Sequence, residues 1–353
     1  MGTLLLVGTR KGLWIGRSDD ARAEWTWSGP LFDLHEVYSV MISRQRLLAG
    51  TSLSWTGPLL QVSEDDGISW SPTHIGFPEH VDASVERVWQ LTPGLRPGEI
   101  WAGTEPGAIF KSIDNGQSFA LVEGLWNHPH REHWQGGLGG QAFHTILPHP
   151  TDHDSVVAAL SSGGCYLTTD GGASWHPRNN GIRAEFMPPD MQFPEFGQCV
   201  HKIARHPARP ERMFAQNHGG VYRTDDQGAH WEPIDAGLPA TFGFPVVVHP
   251  HQPDTVFVFP VSAEGGRHPV DGKAAVWRSH DAGSTWEPLT KGLPGSFFVG
   301  VMRDAMCADD HDEAGLYFGA RNGSVWASPD GGESWSCAIS NLPDVMVVRA
   351  ARC

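Results

Sequence analysis

Basic residues are scarce in this 353-residue chain: 25 Lys and Arg stand against 40 Asp and Glu, a formal net charge of −15. That shortage excludes general nucleic-acid binding, which depends on cations to neutralise phosphates. Charged residues are only 18% while hydrophobic residues reach 40%, enough for a large core, so intrinsic disorder is excluded as well. No run of 18 apolar residues exists, so no membrane-spanning helix is expected. The opening apolar run, Thr3 to Val7, is too short for a secretory signal and has no basic lead, which points to a cytoplasmic protein without a membrane partner. The five cysteines, Cys165, Cys199, Cys307, Cys337 and Cys353, are scattered and odd in number, with no Cys-x-x-Cys pair. A disulfide framework and a cysteine-based zinc site are therefore both unexpected. Also absent are a Gly-x-Ser-x-Gly elbow, a phosphate-binding loop, a dinucleotide fingerprint and His-Glu-x-x-His. Gly136–Gly140 is glycine-rich, but no helical pattern follows it, so it reads as a flexible or tightly folded part of a loop.

What is abundant is glycine (42), proline (27) and tryptophan (15), the composition of a turn-rich all-β chain. One pattern recurs, Ser/Thr-x-Asp-x-Gly-x-Ser/Thr-Trp. It begins at Ser63, Ser112, Thr168, Thr224, Ser279 and Ser328, with Phe119 for Trp in the second copy and His230 before Trp231 in the fourth. A worn copy starts at Ser18 and ends in Trp25, with Arg22 where glycine belongs. The starts are 45, 49, 56, 56, 55 and 49 residues apart. A period near fifty with short strands implies a propeller of four-stranded blades, and seven copies imply seven blades. Each copy makes sense as a hairpin turn. The Asp accepts backbone N–H bonds, the Gly takes positive φ and the Trp packs inward.

The motif resembles the Asp-box, or BNR, repeat of sialidase-like propellers, and the whole chain is similar to bacterial proteins labelled "glycosyl hydrolase, BNR repeat" or "exo-alpha-sialidase-like". The resemblance implies an all-β, seven-bladed β-propeller spanning residues 1–353 as one domain. It identifies architecture better than activity, because such propellers serve several functions. It also sets true sialidases apart. Those have six blades, an arginine triad, a Tyr nucleophile paired with Glu, and an Arg-Ile-Pro segment that is missing here. Of the four tyrosines only Tyr38 is expected near the axial funnel. The cleft between two tandem propellers that xyloglucan-active relatives use cannot form from one.

Alternation places the strands. In blade four they are Phe143–Leu147, Ser155–Leu160 and Cys165–Thr168, with a fourth near Trp175. Thr3–Val7 and Gly12–Gly16 read as the second and third strands of blade one, which lacks an innermost strand. Val345–Ala350 supplies it, so strands from both termini are expected to close blade one. The repeated turns fall on one face. The long insertions Trp126–Ala142, Arg183–Cys199 and Pro260–Lys273 fall on the opposite face, around the central channel, where long loops are commonly functional.

Titratable residues are expected at that channel face. His149, His206 and His249 each precede proline and read as a repeated structural turn on the other face. His144 and His201 open the innermost strands of blades four and five, His35 and Glu36 that of blade two, and Glu86 and Arg87 that of blade three. Arg10 and Lys11, Glu105, Asn217 and His218, and Arg321 sit in turns between second and third strands. Two chemistries compete. His35, His144, His201 and His218 with a carboxylate would suit a divalent transition metal such as Zn, Mn, Fe or Ni. Alternatively, Glu36, Glu86 and Glu105 supply the paired carboxylates of glycoside hydrolysis, with Arg10, Arg87 and Arg321 gripping an anionic group. The catalytic candidates are thus Glu36, Glu86, His144 and His201. Lys11, Glu105 and Asn217 join those arginines as ligand-binding candidates.

The expected function is binding of a small polar or anionic, glycan-like ligand in the funnel, followed by hydrolysis or elimination. The alternative is a non-catalytic scaffold for a protein partner, because some single seven-bladed Asp-box propellers resemble photosystem assembly factors.

Overall fold

A computed structural model describes residues 2–43, 46–137, 140–263 and 266–353. Leu138 and Gly139 of the glycine-rich stretch, and residues 264–265 of the third insertion, lie outside the described residues. The structure is all-β, and its strands follow the apolar, β-branched runs read above. In chain order they begin with β1 (Thr3–Thr9), β2 (Gly12–Ser18) and β3 (Thr26–Leu31). A four-stranded sheet follows: β4 (Glu36–Ile42), β5 (Leu47–Leu53), β6 (Gly57–Ser63) and β7 (Ser71–Thr73). The next holds β8 (Arg87–Pro93), β9 (Ile100–Glu105), β10 (Ala108–Ser112) and β11 (Ala120–Leu121). After the short helix α1 (Glu123–Trp126) come β12 (Phe143–Pro148), β13 (Val156–Leu160), β14 (Gly164–Thr168) and β15 (His176–Pro177). Then come β16 (Val200–Arg205), β17 (Met213–Asn217), β18 (Gly220–Thr224) and β19 (Glu232–Pro233). The last separate sheet is β20 (Gly243–His249), β21 (Gln252–Pro260), β22 (Val276–Ser279) and β23 (Glu287–Leu289).

The remaining strands are β24 (Val301–Ala308), β25 (Leu316–Ala320), β26 (Val325–Ser328), β27 (Ser336–Ile339) and β28 (Val345–Arg352). They share one eight-stranded sheet with the N-terminal strands, in the order β27-β26-β25-β24-β28-β1-β2-β3. Here the structure differs from the expectation of seven separate sheets. A single parallel pair, Asp304 with Val347, joins two runs of four. Arg349 on β28 pins that junction by donating to the Asp304 backbone carbonyl at 3.2 Å and to its carboxylate. The terminal strands pair antiparallel from Thr3–Arg352 to Thr9–Val345, as the alternation predicted.

The chain divides into two compact units. The first comprises residues up to Leu34, His201–Asp225 and Trp231–Cys353; the second comprises His35–Val200 and Asp226–His230. The first unit is built on Leu5, Val7, Phe257, Phe259, Tyr317 and Phe318, all essentially buried, together with a smaller cluster around Phe214 and Val256. The second has one core around Trp101, Phe143 and Tyr166 and another around Leu48, Leu60 and Phe110. Among the described residues no helix is long and apolar enough to cross a membrane.

The repeated turns that begin at Ser63, Ser112, Thr168, Ser279 and Ser328 share one hydrogen-bond geometry. In the third copy Thr168 Oγ1 donates to Asp170 Oδ1 at 2.7 Å and accepts from the Gly172 N–H at 2.9 Å. Asp170 then accepts from the Ser174 N–H and hydroxyl at 2.9 and 2.5 Å. Those bonds, led by the one from Ser174, hold the Asp170 carboxyl at about 2. Gly172 has φ +103°, and Trp175 closes the turn by donating Nε1–H to the Gly172 carbonyl at 3.2 Å. The His-Pro turns are local too: Nδ1 of His149, His206 and His249 accepts the N–H of Thr151, Ala208 and His251 respectively.

Candidate functional site

In the second unit, three of the candidate residues meet. Arg87 opens β8 and lies directly opposite Glu105, the last residue of β9. Glu36 opens β4. Arg87 donates from Nε to Glu36 Oε2 at 3.0 Å and from Nη1 to Glu105 Oε2 at 3.1 Å. Burial works against the Arg87 cation, but the hydrogen bonds and charges of the two glutamates outweigh it and raise its pKa. The same Glu105 oxygen accepts the indole N–H of Trp89 at 3.0 Å, and Trp89 packs on Tyr38 with ring centroids 4.6 Å apart. Gly140 lies over the other oxygen: a Cβ there would stand 2.0 Å from Glu105 Oε1, so only glycine permits this approach. The described end of the glycine-rich stretch therefore covers a carboxylate.

Glu86 is the outlying member. It is 63% exposed, with one oxygen 3.9 Å from Arg87 Nη1. Arg87, expected to grip an anionic group, is thus paired with two protein carboxylates. The sequence reading passed over Trp55. It stands at the tip of the β5–β6 hairpin, beyond the Glu36–Ser52 cross-strand pair, and is 72% exposed. The signal was present: a Trp in Leu53-Ser54-Trp55-Thr56-Gly57 occupies a tip where turn residues are usual and burial is hard.

His144, on β12, is buried, with Nδ1 3.4 Å from Thr145 Oγ1 and Nε2 3.2 Å from Ser161 Oγ. Both ring nitrogens thus meet hydroxyls. His35, half-buried just before β4, belongs to the same unit. The histidines of the long insertion fold against aromatic rings. His130 stacks on Phe196 with centroids 3.9 Å apart, and Trp134 donates Nε1–H to Tyr166 at 2.8 Å.

The first unit holds the other candidates. His201 is buried on β16, and its Nδ1–H donates to the Gly243 carbonyl at 2.5 Å, which places the lone pair on Nε2. Burial first, and then the positive charge of Arg303, lower its pKa to about 3. The ring is therefore held in its neutral form near pH 7. His218 lies 5.6 Å away between ring centroids; Phe242 and Phe244 flank the pair, and Arg267 lies 5.4 Å from the Phe242 ring. Asn217, beside His218, is buried at the end of β17.

Arg10 and Arg321 converge on Asp344, which accepts from Arg321 Nη2 at 2.9 Å and lies 3.8 Å from Arg10 Nε. Lys11 is exposed in the adjoining turn, with its backbone N–H on Thr9 Oγ1. Sequence reasoning also missed a buried ionic cluster in this unit. Lys202 donates to Asp304 Oδ1 at 2.8 Å, and Arg349 bonds the same oxygen. Nothing in the local pattern marks these residues, which sit 102 and 45 positions from Asp304.

No family model matches the chain. It is 23% identical over 284 residues to a probable oligoxyloglucan-reducing end-specific xyloglucanase of Neosartorya fischeri, covering 70% of this chain and 33% of that protein. The chain therefore spans about a third of the length of that curated relative. Among solved structures it is similar to an ancestral GH74 enzyme (TM-score 0.57, 15% identity, 89% of this chain and 38% of the other). It is also similar to YCF48 from Cyanidioschyzon merolae (TM-score 0.54, 13% identity, 86% and 84%). A further structure, YCF48 bound to D1 peptide, aligns at TM-score 0.50 with 17% identity over 84% of each chain. These neighbours are β-propellers, and the four-stranded sheets of this chain follow the same fold.

Proposed function

We propose that this chain is a single seven-bladed Asp-box propeller that binds a saccharide beside Glu36, Arg87 and Glu105 and acts on it as a glycoside hydrolase. Seven copies of the turn and seven runs of four strands, two of them merged in the long sheet, support the blade count. The observation that carries the functional reading is the convergence of two carboxylates on one guanidinium, in the same unit as an exposed tryptophan. Sugar hydroxyls donate to the carboxylates, the guanidinium donates to sugar oxygens, and Trp55 offers a flat face to the ring's C–H groups. Arg87 fixes the positions of Glu36 and Glu105, which suits either of them to the base role. Glu86, held least closely, is the acid in this reading. It protonates the leaving oxygen while the base takes a proton from the attacking water.

The likeness to a xyloglucanase supports testing xyloglucan oligosaccharides first. Binding and release of reducing ends are measured for the wild type and for Glu36→Gln, Glu86→Gln and Glu105→Gln. The reading expects Glu86→Gln to abolish release while binding persists. Equal release by all four proteins contradicts it. For a transition metal, the imidazoles of His201 and His218 are the proposed ligands, because their donor atoms and Cys199 Sγ all lie within 4.8 Å of one another. About one metal per chain by mass spectrometry, lost in His201→Ala/His218→Ala, is the expected result; none after supplementation contradicts it.

A second reading, a scaffold for a protein partner, has its own observation. Phe186, Met191 and Phe193 are 55%, 54% and 67% exposed on the 183–199 insertion. Gln192 ties that loop by donating to the Glu185 and Met187 carbonyls and accepting from Arg183. The near-equal length match to YCF48 points the same way. Under this reading, replacing all three apolar residues by Ser leaves saccharide titrations flat in every variant.

A further inference from the structure

The second unit contains a separate pocket of about 450 Å³. One wall comes from the link between β7 and β8, with His80 and Asp82. The other comes from α1 and the residues after it, with Glu123, Trp126, Asn127 and Arg131. The Arg131 guanidinium lies over the Trp126 ring, 3.3 Å from its centroid, and Phe77 packs against the same indole with centroids 4.6 Å apart. Trp126 is thus held in place, and its face positions the cation.

Arg131 differs from four other arginines of its unit. Arg46, Arg87, Arg96 and Arg183 each pair with a carboxylate, at Glu64, Glu36, Asp154 and Glu185. Among the described residues no carboxylate pairs with Arg131, and its buried Nε makes no hydrogen bond. Burial lowers its pKa, opposed only by the charge of neighbouring Glu132. A half-buried cation that has an aromatic neighbour but no carboxylate partner is an arrangement that a bound anion would stabilise.

We propose that this pocket binds a sugar bearing a carboxylate, a uronic acid, with the carboxylate on Arg131 and the hydroxyls on the acidic rim. The rim argues for a sugar over a simple diacid. Asp82 and Glu123 repel a second negative charge but accept hydrogen bonds from hydroxyls, and His80, 3.7 Å from Glu123, closes the same edge. The volume suits one or two sugar residues. The inference uses none of Glu36, Glu86, Arg87 or Glu105, so it stands or falls apart from the hydrolase reading.

The test is calorimetric titration of the full chain with D-glucuronate, D-glucose and glutarate. Saturable glucuronate binding is expected, at least tenfold tighter than glucose and glutarate. Arg131→Gln weakens it about ten- to a hundredfold, the range for a lost charged hydrogen bond, and Arg131→Lys restores part. Absence of glucuronate binding, parity with glucose, or an unchanged affinity in Arg131→Gln overturns the site. Parity with glutarate overturns the sugar assignment. Should Arg131→Gln fail to fold, a wild-type crystal soaked with glucuronate decides: a carboxylate on Arg131 supports the proposal, and its absence there overturns it.

Discussion

Arg22 stands where the other turns carry glycine, and it keeps the glycine conformation, with φ +53°. That conformation costs a non-glycine residue about 1–2 kcal/mol. The side chain offsets the cost. Its guanidinium is buried and donates to both oxygens of Asp309, to the Glu313 carbonyl and to the Pro329 carbonyl. Asp309 in turn accepts from Tyr317 at 2.7 Å and from the Gly315 N–H at 2.8 Å. Arg22→Ala therefore leaves a buried carboxylate without its cation, and a loss of roughly 3–5 kcal/mol is expected in urea unfolding. Arg22→Gly relieves the backbone yet should be nearly as unstable; a stability equal to wild type would show that the ion pair contributes nothing. In the sequence Arg22 looked like a defect of the repeat, because its partner lies 287 residues away. Asp344, which gathers Arg10 and Arg321, was hidden for the same reason.

Histidine protonation gives a second prediction at this scale. The folded-state pKa values of His201 and His249 are lowered to about 3 and about 4, in each case first by burial. The unfolded chain then binds more protons between those values and about 6.5. Stability is full above that upper limit and falls as pH drops through the window. Melting temperature against pH should show this decline, and His201→Gln should flatten it; an unchanged slope would contradict the buried neutral ring.

The elements were legible where chemistry is local. Inner strands such as β12, β13 and β14 could be read because alternation and β-branched runs mark them, and the repeated turns because each closes its own hydrogen bonds within a few residues. Outer strands were harder: β11, β15 and β19 have two residues each, too few for any period. Turn chemistry also went further than the pattern told. The residue before each motif glycine is left-handed as well, at Asp66, Asn115, Gln227 and Ala282. Ala282 has no side-chain polar group to favour that conformation, so Ala282→Gly should raise the melting temperature slightly, and a fall would contradict the strain argument. Trp55 carries no titratable group to mark it in the sequence, and the Glu36–Arg87–Glu105 contact crosses between sheets, which leaves no sequence signature.

At the scale of the whole chain, the pairing of β1 with β28 joins residues at opposite ends of the sequence, down to Gly2 and Cys353 exchanging backbone hydrogen bonds at 2.7 and 2.8 Å. Deleting Val345–Cys353 uncovers the backbone edge of β1 and removes the buried Val345, Val347 and Val348. Cooperative unfolding should be lost or the product should aggregate; a normal melt would mean the closure is dispensable. Both terminal strands are apolar runs, and blade one visibly lacked a strand, so this long-range contact was readable from the sequence. Activity was not, since one fold serves an enzyme and a peptide-binding protein alike. The central claim is saccharide recognition by Glu36, Arg87 and Glu105. The most direct measurement is titration of wild type and Glu105→Gln with a panel of xyloglucan and related oligosaccharides. Binding by the wild type, weakened roughly ten- to a hundredfold in a variant that melts normally, is the predicted result. A flat wild-type titration across the panel, or equal affinity in the two proteins, would contradict it.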